Sequence, residues 1–164
     1  MKQHLAKFAL LSCSFLALVA CGQSGSGGGN GAAEDTPEQQ AFEFRNGVME
    51  ALSWKVGKLR GMAQGDVPAD DALAVKTARD VAALAGMLPD GFVPNSIVKG
   101  SIALPEIWMN FPDFQQKAAD LQNAATALAD AAQANGFAAA KGMVQPVGQA
   151  CGGCHRPYRK RQEQ

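Results

Sequence analysis

Two thiols and an imidazole near the C-terminus, in Cys151-Gly152-Gly153-Cys154-His155, are the residues of this chain best placed to do chemistry. A C-x-x-C-H run is the attachment signature of a c-type haem. On a helix, positions 151, 154 and 155 stand at i, i+3 and i+4 and project from one face. From that face two sulfurs can add to the two haem vinyl groups while the imidazole ligates iron. The same residues could otherwise be a redox C-x-x-C that precedes a histidine by chance, or half of a zinc site. A zinc site needs four ligands, and there is no second Cys/His pair to complete one. A thioredoxin-like motif belongs in a βαβ setting, and nothing here reads as alternating strands. The motif therefore predicts one haem c, held covalently by Cys151 and Cys154, with His155 as an axial iron ligand.

Arg45 is the second informative residue. It falls three after Phe42 and four before Met49, on what reads as the apolar seam of a helix. A guanidinium cannot neutralise itself, so it must either reach solvent or find a partner. Snorkelling from the first helical turns is the ordinary solution. With a haem expected nearby, pairing with a haem propionate is the sharper one, because bidentate carboxylate geometry suits arginine. Met49, one turn further on, is core filler, a sixth iron ligand, or a cover for the distal haem face. His155 is the one histidine left once a leader carrying His4 is removed. Bis-histidine ligation within the chain is thereby excluded.

The leader is read from the start of the chain. A basic Met1–Lys7 stretch precedes the apolar run Phe8–Ala20, too short to favour a spanning helix. The run ends Leu18-Val19-Ala20-Cys21, which resembles a bacterial lipobox and implies cleavage before Cys21 followed by lipidation. The expected division is a signal peptide over 1–20, a Gly/Ser-rich tether over 21–37 and a haem domain over 38–164. The lipid would hold the protein on a membrane facing the periplasm. Gly22 after the cysteine favours the outer membrane over the inner. Cys13 leaves with the leader, so no thiol remains for a disulfide. The 15 basic and 15 acidic residues become 13 against 15 once Lys2 and Lys7 are removed. Nucleic-acid binding is therefore disfavoured.

Four segments must position these residues. The first aligns Phe42, Met49, Leu52, Val56, Leu59 and Ala63. The second runs from about Ala69 to Leu88, with Pro68 and Asp70-Asp71 suited to its opening. The third aligns Phe111, Phe114, Ala118, Leu121, Ala125, Leu128 and Ala132, with Asn110 as its N-cap and Asn135-Gly136 as its end. The fourth aligns Phe137, Ala140, Val144, Val147, Cys151, Cys154 and Tyr158, with a kink or late start at Pro146 and fraying after His155. The 3,4 spacing predicts an all-α, antiparallel up-down-up-down four-helix bundle. Pro89 to Met109 shows no periodicity and reads as a long loop between helices two and three. Its Phe92, Ile102, Ile107 and Trp108 must bury somewhere, and a bundle's open end needs a cover.

With Arg45-x-x-x-Met49 on the first helix and Cys151-x-x-Cys154-His155-x-x-x-Arg159 near the end, the chain resembles cytochrome c′. Leu88-Pro89 with Phe92, and Pro105-Glu106-Ile107-Trp108, add to the resemblance, which covers about Ala41 to Lys160. It implies a five-coordinate haem c with His155 as proximal ligand and Arg159 beside the imidazole. It also implies Arg45 and Asn46 at a propionate, and Met49 with Phe92 on the distal side. Members are generally homodimers that bind nitric oxide and carbon monoxide. The function expected is gas binding for nitric oxide tolerance. The alternative is a six-coordinate electron carrier in which Met49 ligates iron, with a redox partner that the chain does not name.

Overall fold

The computed structural model describes residues 36–161; the leader, Cys21 and most of the tether lie outside them. Helix α1 (Pro37–Gln64) opens with Thr36 accepting a hydrogen bond from the Gln39 amide, and Pro37 starts the first turn, where its missing N–H costs nothing. It stops at Gly65, whose φ of 84° is the left-handed conformation glycine adopts freely. Helix α2 (Asp71–Met87) is capped by Asp70, which accepts from the Leu73 amide at 2.7 Å. A 3₁₀ turn (Leu88–Gly91) and a single helical turn, α3 (Glu106–Met109), lie in the connection to α4 (Phe111–Asn135). After α5 (Phe137–Ala140) and a second 3₁₀ turn (Lys141–Met143), the chain enters α6 (Val144–Tyr158), which carries the haem motif.

The long helices α1, α2, α4 and α6 form the four-helix bundle. Helix α2 packs on α1 and most extensively on α4, α6 lies against α4, and α1 touches α6 to close the ring. No strand of a sheet occurs among the described residues, and none of their helices is long and apolar enough to cross a membrane. The predicted seams are the faces that turn inward. Leu52, Val56 and Leu59 of α1, Ala74, Ala78, Val81 and Ala85 of α2, and Leu121, Ala125 and Leu128 of α4 are buried with Val144 and Val147 of α6. Alanine predominates on α2 and α4, which lets these two helices approach closely.

Of three local expectations, the one at Pro146 is met and two change. Asn110 does stand at the N-cap of α4, but its side chain makes no capping bond. Its carbonyl accepts from the Asp113 and Phe114 amides instead, while the Asp113 carboxylate is engaged elsewhere. Pro146 gives a late start rather than a kink: it sits in the first turn of α6, where no intrahelical partner for its nitrogen is needed. Pro157 does not fray the helix after His155, since α6 continues to Tyr158.

Between Leu88 and Asn110 the chain crosses one end of the bundle and makes a small core of its own. Phe92, Ala103 and Ile107 pack there with Phe114 of α4 and Tyr158 of α6. The Phe92 and Phe114 rings lie 4.5 Å apart, and Phe114 meets Tyr158 edge-on at 5.7 Å. The Trp108 indole N–H donates to the Phe92 and Val93 carbonyls. Ile102 departs from expectation and remains exposed.

Candidate haem site

Helical periodicity sets the site. Cys151, Cys154 and His155 follow the buried Val144 and Val147 along one face of α6, and all three are half-buried. Two adjoining cavities open beside them. One, of about 330 Å³, is lined by Cys151, Cys154 and His155 together with Met49, Leu52 and Val56 of α1 and Ala118 and Leu121 of α4. The other, of about 130 Å³, runs from Cys154 and His155 towards Phe42, Arg45, Asn46 and Phe92. Met49, Phe114, Cys154 and His155 border both, so the two are halves of one slot between α1, α4, α6 and the long loop. The slot is walled by apolar side chains, with its reactive donors on one side. That is the donor set and the shape a covalently attached haem requires.

Electrostatics agree with this use. Burial pulls the His155 pKa below its ordinary value, and the charge of Arg159 pulls it further. The imidazole is therefore neutral near pH 7, the form that ligates a metal. Burial also raises both thiols: Cys151 moves up, and Cys154 is pushed up to about 11. Neither cysteine is in a disulfide, and in the folded chain both are weak nucleophiles in an apolar wall. Tyr158, one turn beyond Cys154, donates a 2.5 Å hydrogen bond to Asp113 of α4 and ties the motif helix to its neighbour. Burial, and then that bond, push the phenol up to about 12, while the same bond and Lys117 hold Asp113 below the carboxylate range.

Arg45 does not snorkel. It is 3% exposed, and its two terminal nitrogens make four hydrogen bonds, all to the long loop. One nitrogen donates to the Gly91 carbonyl (2.9 Å) and Ser96 Oγ (3.0 Å); the other donates to the Ser96 carbonyl (2.5 Å) and Ser101 Oγ (3.2 Å). Its guanidinium also lies 5.1 Å from the Phe42 ring and 5.2 Å from Phe92. No carboxylate of the described residues pairs with it; Nε–H is the donor these bonds leave over. Of the two partners the sequence suggested for Arg45, solvent is excluded by its burial, and loop carbonyls and hydroxyls take its terminal nitrogens. Asn46 is exposed at the slot's mouth, Met49 is half-buried inside it, and Phe92 is buried against Phe114.

Arg159 caps α6 and then leaves the helix. Its backbone forms an isolated antiparallel bridge with Ala103, flanked by the Leu104 amide on the Tyr158 carbonyl (3.0 Å) and the Lys160 amide on the Ile102 carbonyl (2.8 Å). The loop is thus fastened to α1 through Arg45 and to the end of α6 through this bridge. Ser96, Ser101 and Ala103 carry those fastenings and were missed from sequence. The only sequence signal for the two serines was that Arg45, if buried, needed polar partners.

The comparisons agree with this geometry. The cytochrome c′ family model matches residues 40–159. Cytochrome c-554 of Cereibacter sphaeroides is 35% identical over 127 residues, covering 75% of this chain and 95% of that protein. Cytochrome c prime from Shewanella frigidimarina superposes with a TM-score of 0.71 at 31% identity, over 77% of this chain and 99% of that one. A nitric oxide complex of a cytochrome c prime variant from Alcaligenes xylosoxidans gives 0.70 at 26% identity, over 79% and 100%. A four-helix bundle whose last helix carries an attachment motif beside an apolar slot, matched along nearly its whole length, places the chain in the cytochrome c′ family, with one covalently attached haem c.

Proposed function

We propose that this protein is a lipid-anchored, periplasm-facing electron carrier, its haem iron ligated by His155 and by the Met49 thioether. The observation that carries the reading is the position of Met49. It borders both halves of the slot together with His155, and among the described residues it is the one thioether lining either. No second histidine lies among the described residues to compete for the sixth site. Methionine opposite histidine raises a haem potential and suits electron transfer. The bound haem supplies a one-electron iron couple. The chain does the rest: Cys151 and Cys154 fix the group, and His155 is kept neutral and able to ligate. Phe92, Ile107 and Phe114 exclude water from one half of the slot. The Arg45 Nε–H and the Asn46 side chain are assigned to haem carboxylates. Cys21 carries the lipid, a reading supported by the leader alone.

A second reading is favoured by the nitric oxide complex among the matched structures. There Met49 covers the distal face without ligating, and a small gas, nitric oxide or carbon monoxide, occupies the sixth position of a five-coordinate iron. Homodimerisation belongs with it, and exposed Trp54, Val67 and Leu73 around one groove offer an apolar face for it.

Absorption spectroscopy of ferric and ferrous holoprotein separates the two. The carrier gives sharp low-spin α and β bands and a weak thioether-to-iron band, lost in Met49→Ala together with a fall in potential. A high-spin wild-type spectrum, unchanged in Met49→Ala, sinks the ligation and leaves the gas binder.

A further inference from the structure

We infer that the groove between α1 and α6, beside Cys151, is the docking site for an acidic redox protein; the inference rests on the electron-transfer reading above. The groove has a volume of about 500 Å³. Arg60 of α1, Lys141 of the turn before α6 and Arg156 of α6 line it, and no carboxylate of the described residues does. All three cations are exposed and none pairs with a carboxylate of the described residues, whereas Lys55, Lys76, Arg79 and Lys117 elsewhere on the bundle are each bridged to an aspartate. In a chain with equal numbers of basic and acidic residues, this is segregated charge rather than a general excess.

The floor explains how a partner could come close. Gly148 and Gly152 stand one turn apart on α6, and a β-carbon there would lie 3.7 Å from an Arg60 nitrogen and 3.3 Å from an Arg156 nitrogen. Both guanidinium groups therefore lie low over bare helix. Carboxylates that bond to them bidentately draw a partner's surface down onto α6 next to Cys151. Arg60 lines both this groove and the haem slot, so the docked partner sits against the thioether edge of the haem. The concave shape and the small apolar residues Ala63 and Val144 offer nothing to insert into a bilayer, which favours a protein over a lipid surface.

The test uses ferrous holoprotein and cupric plastocyanin, a small acidic copper protein. One electron leaves the haem iron, which becomes ferric, and reduces copper to the cuprous state; no proton moves. Stopped-flow rates should fall as salt rises. At low salt they should fall roughly tenfold in Lys141→Glu/Arg156→Glu. The charge-matched control Lys58→Glu/Lys76→Glu should change them less than about twofold. Chemical-shift mapping of the ferrous protein with plastocyanin should centre on residues 141–156 and vanish in the groove variant. Equal losses in both variants, or a rate indifferent to salt, overturn the site. Binding to phosphatidylglycerol vesicles that is lost in the groove variant, with the plastocyanin rate unchanged, overturns it in favour of a membrane contact. A high-spin spectrum overturns the Met49-ligated carrier reading, whereas the rates and shifts decide the groove, so the two failures are told apart.

Discussion

At the scale of single residues, Arg45 shows how a charge can be retained inside an α-helical core. Its four bonds go to two loop carbonyls and two hydroxyls, of which Ser96 Oγ also donates to the Val93 carbonyl and Ser101 Oγ also accepts from the Ala103 amide. Arg45→Ala removes all of them at once and should destabilise the protein by about 3 kcal/mol, read by denaturant unfolding of the holoprotein. A loss under about 1 kcal/mol would mean the loop finds other partners. Tyr158 and Asp113 make a second, titratable fastening. The Asp113 pKa is depressed, so its contribution is present above the ordinary carboxylate value and lost as pH falls through the folded one. The Tyr158 pKa is raised, so the phenol's contribution is complete below its ordinary value of 10.0 and lost as pH rises towards about 12. Tyr158→Phe should cost about 1.5 kcal/mol near pH 7 and flatten both limbs of the stability profile. A profile with the wild-type curvature would place the titration elsewhere.

At the scale of elements, the joints are set by side chains acting far along the chain. Asp71 lies in the first turn of α2, yet its carboxylate accepts from the Phe137 amide at 2.7 Å and so caps α5 from across the bundle. Asp71→Ala should lower stability by about 1 kcal/mol, with amide exchange rising first around 137–143. Gly91 is needed for a different reason: a β-carbon there would stand 2.7 Å from Arg45 Cβ and 3.2 Å from its Cα. Gly91→Ala should therefore cost about 2 kcal/mol, seen as a lower Tm, by pushing the loop off α1. These joints also mark what could be read from sequence. Periodicity revealed the four helices because their seams bury as continuous stripes, from Leu52 to Leu59 and from Ala118 to Ala132. The C-x-x-C-H motif revealed the donors because its spacing is itself the chemistry. Of the Leu88–Asn110 crossing, the cover over one bundle end and the burial of Phe92 and Ile107 were legible, but its fastenings were not. Ser96 and Ser101 bury only because Arg45 lies opposite, and Ala103 only because the chain straightens after Tyr158. Neither fact has a period.

At the scale of the whole molecule, the described residues are one haem bundle, preceded by a glycine-rich stretch and by Cys21, the residue proposed to carry the lipid. Cys21→Ser should release the protein from membranes into the soluble periplasmic fraction with its haem spectrum intact. Retention with the membrane pellet would remove the anchor from the account. A further consequence comes from the bridge between Ala103 and Arg159. The haem motif is complete at His155, but the crossing that roofs one half of its slot is bonded to residues beyond it, out to Lys160. A chain cut just after the histidine would keep every iron and vinyl donor and still lose the bridge, leaving that roof held by Arg45 of α1 and by its packing on Phe114 of α4. The residues at and just beyond the end of α6, silent in any inventory of ligands, hold the cover of the haem slot in place.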